Sequence, residues 1–320
     1  MKILIIGAGV LGSLLSHTLI KGGNDVTLLA RGKRKAELEK SGLVIRHYLQ
    51  MRTTRDRLKL TDTLAQEDSY DIVFVVTRRN QLDDLLPIIS ANRASRLFVI
   101  LGNNLTAPKT CHQIIKASST PKSVLFGFQG SGGRRQDGRV ISIHNGLTTH
   151  TGRITLGSLD GDESDYPLLV RAFERTKMKL LFNSNIDAWL KCHAAFILPV
   201  CFAVYHSGGD LRKVSRDKVF LNRVIDCIDE AYQILMACSV PMQPPDSYDY
   251  VHDRRVDCFR LLKIFASTPL GRLAASDHAM NAKDEMLRLY QDFCVFKKKA
   301  ALSTPTWDEL SVVMDTIEAI

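Results

Sequence analysis

Near its start the chain carries Gly7-Ala8-Gly9-Val10-Leu11-Gly12, which fits G-x-G-x-x-G. The apolar run Lys2 to Ile6 precedes it. Leu11, Leu14, Leu15, Thr18 and Leu19 follow at helical spacing. A strand feeding a helix through such a turn is the context that dinucleotide binding requires. Gly7 permits the tight turn, Gly9 lets a pyrophosphate approach the backbone, and Gly12 lets the helix pack on the strand. Ala8, Val10 and Leu11 complete the loop, whose helix N-terminus offers unpaired N–H groups to the anion.

The second apolar run, Asp25 to Leu29, selects the cofactor. An acid at its end would bond ribose hydroxyls, whereas an arginine accommodates a 2′-phosphate. The chain reads Leu28-Leu29-Ala30-Arg31-Gly32-Lys33-Arg34, with no acid there. Arg31 is the expected phosphate partner, since its planar fork suits a bidentate contact, and Lys33 or Arg34 is placed to assist. NADP, as NADPH, is therefore favoured over NAD. The alternative is a solvated basic loop.

A third feature is Lys191, flanked by Trp189, Ala194, Ala195, Phe196, Ile197, Leu198 and Val200. A charge on so apolar a helix needs a partner or a polar cavity, unless its stem carries the ammonium to solvent. His193 projects about 200° away on an ideal helix and is expected to be buried or interfacial. The pair Asp284-Glu285, near a helix start at Asn281, reads as dipole and surface chemistry.

These groups need a scaffold. Besides the two runs above, Asp71 to Val76, Leu97 to Leu101 and Val124 to Phe128 are short and β-branched, separated by helix-length segments. That texture predicts parallel strands with crossover helices. Between Gly130 and Gly157, short runs such as Arg139 to His144 and Arg153 to Leu156 predict an antiparallel extension. From Tyr166 onward helices are expected over Pro167 to Leu180, Asp187 to Tyr205, Leu211 to Cys238, Arg254 to Ala266 and Asn281 to Lys298, with a last one from Asp308. Pro241, Pro244 and Pro245 mark a break. The expected fold is α/β. A Rossmann-type doubly wound domain covers residues 1–165, and an all-helical substrate and dimerisation domain covers 166–320.

Composition agrees: 320 residues, 45% hydrophobic and 24% charged, match a globular chain of about two domains. No stretch of about 18 uninterrupted apolar residues predicts a membrane span, and the N-terminal run reads as strand and turn, not as a signal peptide. Seven widely spaced cysteines (111, 192, 201, 227, 238, 258 and 294) show no metal-ligand spacing. Reduced thiols in the cytoplasm, and no metal, are expected. The net charge of +9 suits a phosphorylated cofactor and an anionic substrate. The basic residues are scattered without a DNA-reading motif, so nucleic acid is not expected as a partner. The apolar helical half is compatible with a homodimer, although an apolar helix is first a core helix.

Taken from MKILIIGAGVLG through VTLLARG, and in its two-domain plan, the chain resembles the ketopantoate reductases (2-dehydropantoate 2-reductases). Three further places carry the resemblance. The family run V-K-A-x-Q corresponds to Val75-Val76-Thr77-Arg78-Arg79-Asn80-Gln81, with Arg78 at the lysine that lies near the cofactor. L-Q-N-G-x-G corresponds to Leu101-Gly102-Asn103-Asn104-Leu105-Thr106, with Asn103 at the asparagine. W-x-K-L-x-x-N corresponds to Trp189 through Ala195, keeping Trp189 and Lys191. The resemblance implies that Lys191 is the general acid, protonating the oxygen of a ketone as hydride arrives.

Departures fall on the substrate side. Ala195 replaces an asparagine one turn after the lysine, and a second asparagine is missing near Leu198-Pro199. The family's late T-E-I-D, whose glutamate bonds the substrate hydroxyl, aligns with Ser276-Asp277-His278-Ala279. Asp277 takes the glutamate's place, with His278 as an alternative donor. The family serine corresponds to Ser267 or Thr268. The expected activity is NADPH-dependent reduction of a small 2-oxo acid, ketopantoate first. The substrate would touch Asn103, Lys191 and Asp277. The alternatives are the same scaffold acting on another carbonyl, or a non-catalytic NADPH-binding sensor. A place in pantothenate biosynthesis follows from the family name alone.

Overall fold

Lys2–Ile6 forms β1, and Asp25–Leu29 forms β2 beside it. The remaining strands are β3 (Leu43–His47), β4 (Arg52–Asp56), β5 (Lys59–Thr61), β6 (Ile72–Val75), β7 (Leu97–Leu101), β8 (Ser123–Gln129), β9 (Ser131–Gln136), β10 (Arg139–His144), β11 (Arg153–Gly157) and β12 (Lys179–Phe182). The computed structural model describes residues 1–144 and 152–318. Part of the predicted antiparallel stretch, residues 145–151, lies outside the described residues.

Eight strands form one sheet in the order β12-β11-β8-β7-β6-β1-β2-β5. From β5 to β8 every pairing is parallel. β6 and β7 are buried at every position, which is why they read as unbroken apolar runs rather than as alternation. Strand order reverses at β1, with β2 on one side and β6 on the other. In doubly wound sheets ligands bind beyond the carboxyl ends of the strands at such a reversal. A second sheet, β4-β3-β10-β9, packs on the helix Val10–Lys21 that leaves β1. Its β10 is the expected strand Arg139 to His144, paired antiparallel with β9, whereas the pairing of β3 with β4 and β10 was not evident in the sequence.

Two compact units divide the chain. One holds Met1–Gly102 and Thr106–Ile186, and the other holds Asn103–Leu105 and the chain from Asp187 onward. The boundary thus falls at 186 rather than at 165. The predicted helix over Pro167 to Leu180 is instead a helix at Tyr166–Phe173 followed by β12. β12 pairs parallel with β11, and a parallel pair needs a crossover connection, which this helix supplies. The Asn24 side-chain amide donates to the Ala172 carbonyl at 2.9 Å, and Phe173 meets Phe74 of β6 edge-on at 6.0 Å. The helix therefore belongs to the sheet.

The second unit is helical. Its longest helix, Ile186–His206, encloses Pro199. By length and composition it could cross a membrane, but 67% of its apolar window is buried, and Ala195, Leu198 and Phe202 reach zero exposure in the core. It is the core helix of this unit. Trp307 fills the centre, 4.8 Å from Phe293 and 5.1 Å from Phe202 between ring centroids. The predicted helix over Leu211 to Cys238 is two helices, Leu211–Arg216 and Lys218–Ala237. Asp217 breaks it by leaving helical geometry and accepting the Phe220 N–H at 2.9 Å, an N-cap. The last long helix spans Lys283–Ala300, and the one expected from Asp308 begins at Pro305. All seven cysteines are free thiols.

Candidate active site

The glycine turn lies at the strand-order reversal. Gly7 has φ +118°, and a side chain there would collide with the Val76 carbonyl oxygen at the end of β6. A side chain at Gly12 would collide with the Gly7 carbonyl oxygen. Both glycines are thus required by close packing of strand, turn and helix. Gly9 differs, because a side chain there would meet no atom within 4 Å. Its backbone faces open space at the start of Val10–Lys21, a helix with no side-chain cap. An open glycine backbone beside uncapped N–H groups fits a pyrophosphate.

Neighbouring groups complete this end. Arg31 is exposed, where its Nε donates to the Asp62 carbonyl at 2.9 Å. Lys33 is exposed as well. Arg78 is half-buried immediately before the short helix Arg79–Leu82. Between Arg78 and Val76, the Thr77 hydroxyl is buried without a hydrogen-bond partner, and Thr77 lies against both Gly7 and Gly102. An orphaned hydroxyl here is a second feature that suits a bound polar ligand. No sequence signal marked it, since only the strand-order reversal brings it to the turn. Arg34 does not reach outward with Arg31. It is buried against the turn itself, donating to the Ala8 carbonyl.

The second group of residues lies in the helical unit. Lys191 is paired with Asp187 one turn earlier. Its side chain is 14% exposed, and the ammonium sits 5.6 Å from the centre of the Phe296 ring. The other carboxylate oxygen of Asp187 is buried without a partner. The Asn103 amide nitrogen donates to Glu285 Oε1 at 3.3 Å, while the Asn103 side-chain oxygen is buried and unpartnered. His278 Nε2 lies 3.8 Å from the other Glu285 oxygen. Asp277 faces Arg272 at 3.9 Å. The three substrate residues named from sequence thus meet three different partners.

Glu285 is the correction here. It is not surface chemistry but 4% exposed. Burial first, and then the Glu285 carboxylate, push the Cys201 thiol up to about 12. The Tyr205 hydroxyl, also raised by burial first, donates to the Ala279 carbonyl at 3.0 Å. Ser276, preceding Asp277 at the end of a π-helical turn, is buried with its hydroxyl unpartnered, whereas the Ser267 and Thr268 hydroxyls bond carbonyls of their own helix. π-Turns within helices recur at functional sites. Trp189 stacks on His193 at 5.1 Å.

Comparison with known proteins places these features. Residues 3–161 match the family model described as ketopantoate reductase PanE/ApbA. An uncharacterized oxidoreductase of Bacillus subtilis (strain 168), YkpB, is 51% identical over 198 residues, 60% of this chain and 61% of that protein. A 2-dehydropantoate 2-reductase of Pyrococcus horikoshii is 34% identical over 86 residues, 27% of each chain. The match therefore spans about three fifths of the first of these curated relatives and about a quarter of the second. Among solved structures, D-mandelate dehydrogenase in a ternary structure with NADH and anilino(oxo)acetate superposes with TM-score 0.78 at 18% identity, over 100% of this chain and 99% of that one. A 2-dehydropantoate 2-reductase from Geobacter metallireducens GS-15 gives 0.77 at 14%, over 99% of each. At such identities the likeness is one of fold. On the match over residues 3–161, and with the expected parallel strands and glycine turn beneath it, the chain belongs to the ketopantoate reductase family.

Proposed function

We propose that this chain is an NADPH-dependent reductase of a small 2-oxo acid. Lys191 is the observation that carries the reading. It is a cation held by one carboxylate on a helix otherwise given to the core. Such an ammonium has a proton to give and a positive charge to place beside a developing alkoxide.

The nicotinamide cofactor, when bound, supplies the hydride. The turn Gly7 to Gly12 would hold its pyrophosphate, with Thr77 and Arg78 beside it. Arg31 would take the 2′-phosphate, because β2 ends without an acid and the guanidinium is exposed. As hydride adds to the carbonyl carbon, the carbon–oxygen π bond breaks and Lys191 donates its proton to that oxygen. Asp187 orients the ammonium before transfer. Asn103 and Glu285 form a buried polar pair suited to a substrate hydroxyl, and Glu285 suits that role better than the less buried Asp277. The seven free thiols are consistent with a cytoplasmic setting.

A second reading keeps the reaction and changes the substrate. Ala195 stands where the family has an asparagine, and a second is missing near Leu198-Pro199; Ala195 and Leu198 are fully buried, and neither side chain can offer a hydrogen bond. That favours a 2-oxo acid with an apolar side chain over the hydroxylated ketopantoate. NADPH oxidation, followed by absorbance with ketopantoate and a panel of 2-oxo acids, tests both. Turnover with ketopantoate supports the first reading. Turnover only with apolar members supports the second. Silence from protein shown to bind NADPH overturns the reductase assignment and favours a sensor.

A further inference from the structure

Arg34 lies three residues after Arg31, in the first turn of the helix Gly32–Ser41. Arg31 is the N-cap residue with extended rather than helical backbone, so the two arginines leave the same short segment in different directions. Arg31 is exposed, whereas Arg34 is 7% exposed. Every arm of its guanidinium is engaged. Nε donates to the Ala8 carbonyl at 3.2 Å, and Nη2 to the Ser13 hydroxyl at 3.3 Å. Nη1 donates to the Gly138 carbonyl at 3.0 Å and pairs with Glu37 at 3.2 Å. Apart from Glu37 on its own helix, these partners come from three places: the glycine turn, the helix it opens, and the β9–β10 hairpin of the second sheet. The hairpin turn is itself set by Asp137 and Gly138, both with positive φ, as a two-residue turn requires.

The bond to Ala8 has a direct geometric consequence. In a trans peptide the carbonyl and the next N–H point in opposite directions within one plane. The Ala8–Gly9 bond is trans, since the only cis bond among the described residues is Gln243–Pro244. Fixing the Ala8 carbonyl toward Arg34 therefore fixes the Gly9 N–H away from it. The buried cation needs these acceptors as much as they need it, because an unpaired guanidinium in that position would be costly.

We infer that Arg34 is a positioning residue that aims the Gly9 N–H at the pyrophosphate, tying dinucleotide affinity to the β9–β10 hairpin. The inference rests on the cofactor reading above and makes no use of the substrate. Its signature separates it from the role given to Arg31. A residue that touches the 2′-phosphate discriminates NADPH from NADH, whereas one that aims the turn acts on the pyrophosphate that both share.

The test is a fluorescence titration of wild type, Arg31→Ala, Arg34→Ala and Arg34→Lys with NADPH and with NADH, alongside melting temperatures. Arg34→Ala should weaken both nucleotides by about tenfold and to the same extent, leaving their ratio at the wild-type value. Arg34→Lys keeps the charge without the fork. It should show the same equal loss at a higher melting temperature, and it carries the test if the alanine variant does not fold. Arg31→Ala should shift the ratio. A selective loss of NADPH in the Arg34 variants would make Arg34 a phosphate ligand and overturn the inference. So would unchanged affinity at a lowered melting temperature. Wild type that binds neither nucleotide would overturn the cofactor reading itself.

Discussion

Glu285 accepts a hydrogen bond from the Asn103 side chain at 3.3 Å across 182 residues of chain. The pair leaves the Asn103 carbonyl oxygen buried and unpartnered, which makes it an acceptor awaiting a donor. A substrate hydroxyl would supply one. Glu285→Gln should therefore raise KM for a hydroxylated 2-oxo acid by about tenfold, the cost of one hydrogen bond to a charged group. It should leave an unhydroxylated one nearly unchanged. Asp277→Asn should have the smaller effect. Steady-state kinetics on the two substrates decides between the two carboxylates, and the reverse order would return the role to Asp277.

Lys191→Ala should bind NADPH as wild type does and lose turnover by about a hundredfold or more, the usual worth of a positioned proton donor. Lys191→Arg keeps the charge but not a readily surrendered proton, so it should recover little. Single-turnover oxidation of bound NADPH checks both. Full activity in the alanine variant would remove Lys191 from the chemistry.

The three glycines of the turn should fail differently. Gly12→Ala and Gly7→Ala force a methyl group into a backbone carbonyl and should cost stability by several kcal/mol, beyond ordinary overpacking at about 1–3 kcal/mol. Gly9→Ala adds its methyl group to open space. That variant should melt near the wild-type temperature and bind NADPH at least about tenfold more weakly. Thermal melts paired with nucleotide titration separate the two effects.

Asp56 predicts an acid limit to stability. It is buried at the end of β4, 2.5 Å from His17 Nδ1 and 3.0 Å from the Lys21 ammonium. Burial acts to raise its carboxyl, but the bonds from His17 and Lys21 prevail and hold it below the ordinary aspartate value. A depressed carboxylate stabilises the fold above its unfolded pKa, about 3.9. That contribution is lost as pH falls through the lower folded value. Melting temperature should therefore drop below about pH 4. Asp56→Asn should cost about 1–3 kcal/mol at neutral pH and flatten the acid slope. An unaltered slope would place the acid sensitivity elsewhere.

What was legible in the sequence is what depends on local pattern. β6 and β7 carry continuous apolar runs, and the glycine spacing announces its own geometry. β4, read as Arg-Thr-Thr-Arg-Asp, has no apolar signature, because its pairing with β3 in the second sheet stabilises it rather than composition. β12 is four residues long and hides behind a helix of similar hydrophobicity. Glu285 looked like a helix-start acid because its partner stands 182 residues away. Arg34 looked like a neighbour of Arg31 because sequence gives proximity but not direction, and its acceptors at Ala8, Ser13 and Gly138 assemble only when the second sheet packs on the helix after β1.

The assignment of Asn103–Leu105 to the helical unit means that chain order and spatial order disagree. A gene fragment beginning at Asp187 would lack Asn103, which donates to Glu285, and Leu105, which sits in the apolar core of that unit. Such a fragment would expose a buried carboxylate and open a gap among its helices. The helical half is thus not a portable module: three residues borrowed from the far side of the sequence make its autonomy depend on synthesis of the nucleotide-binding half before it.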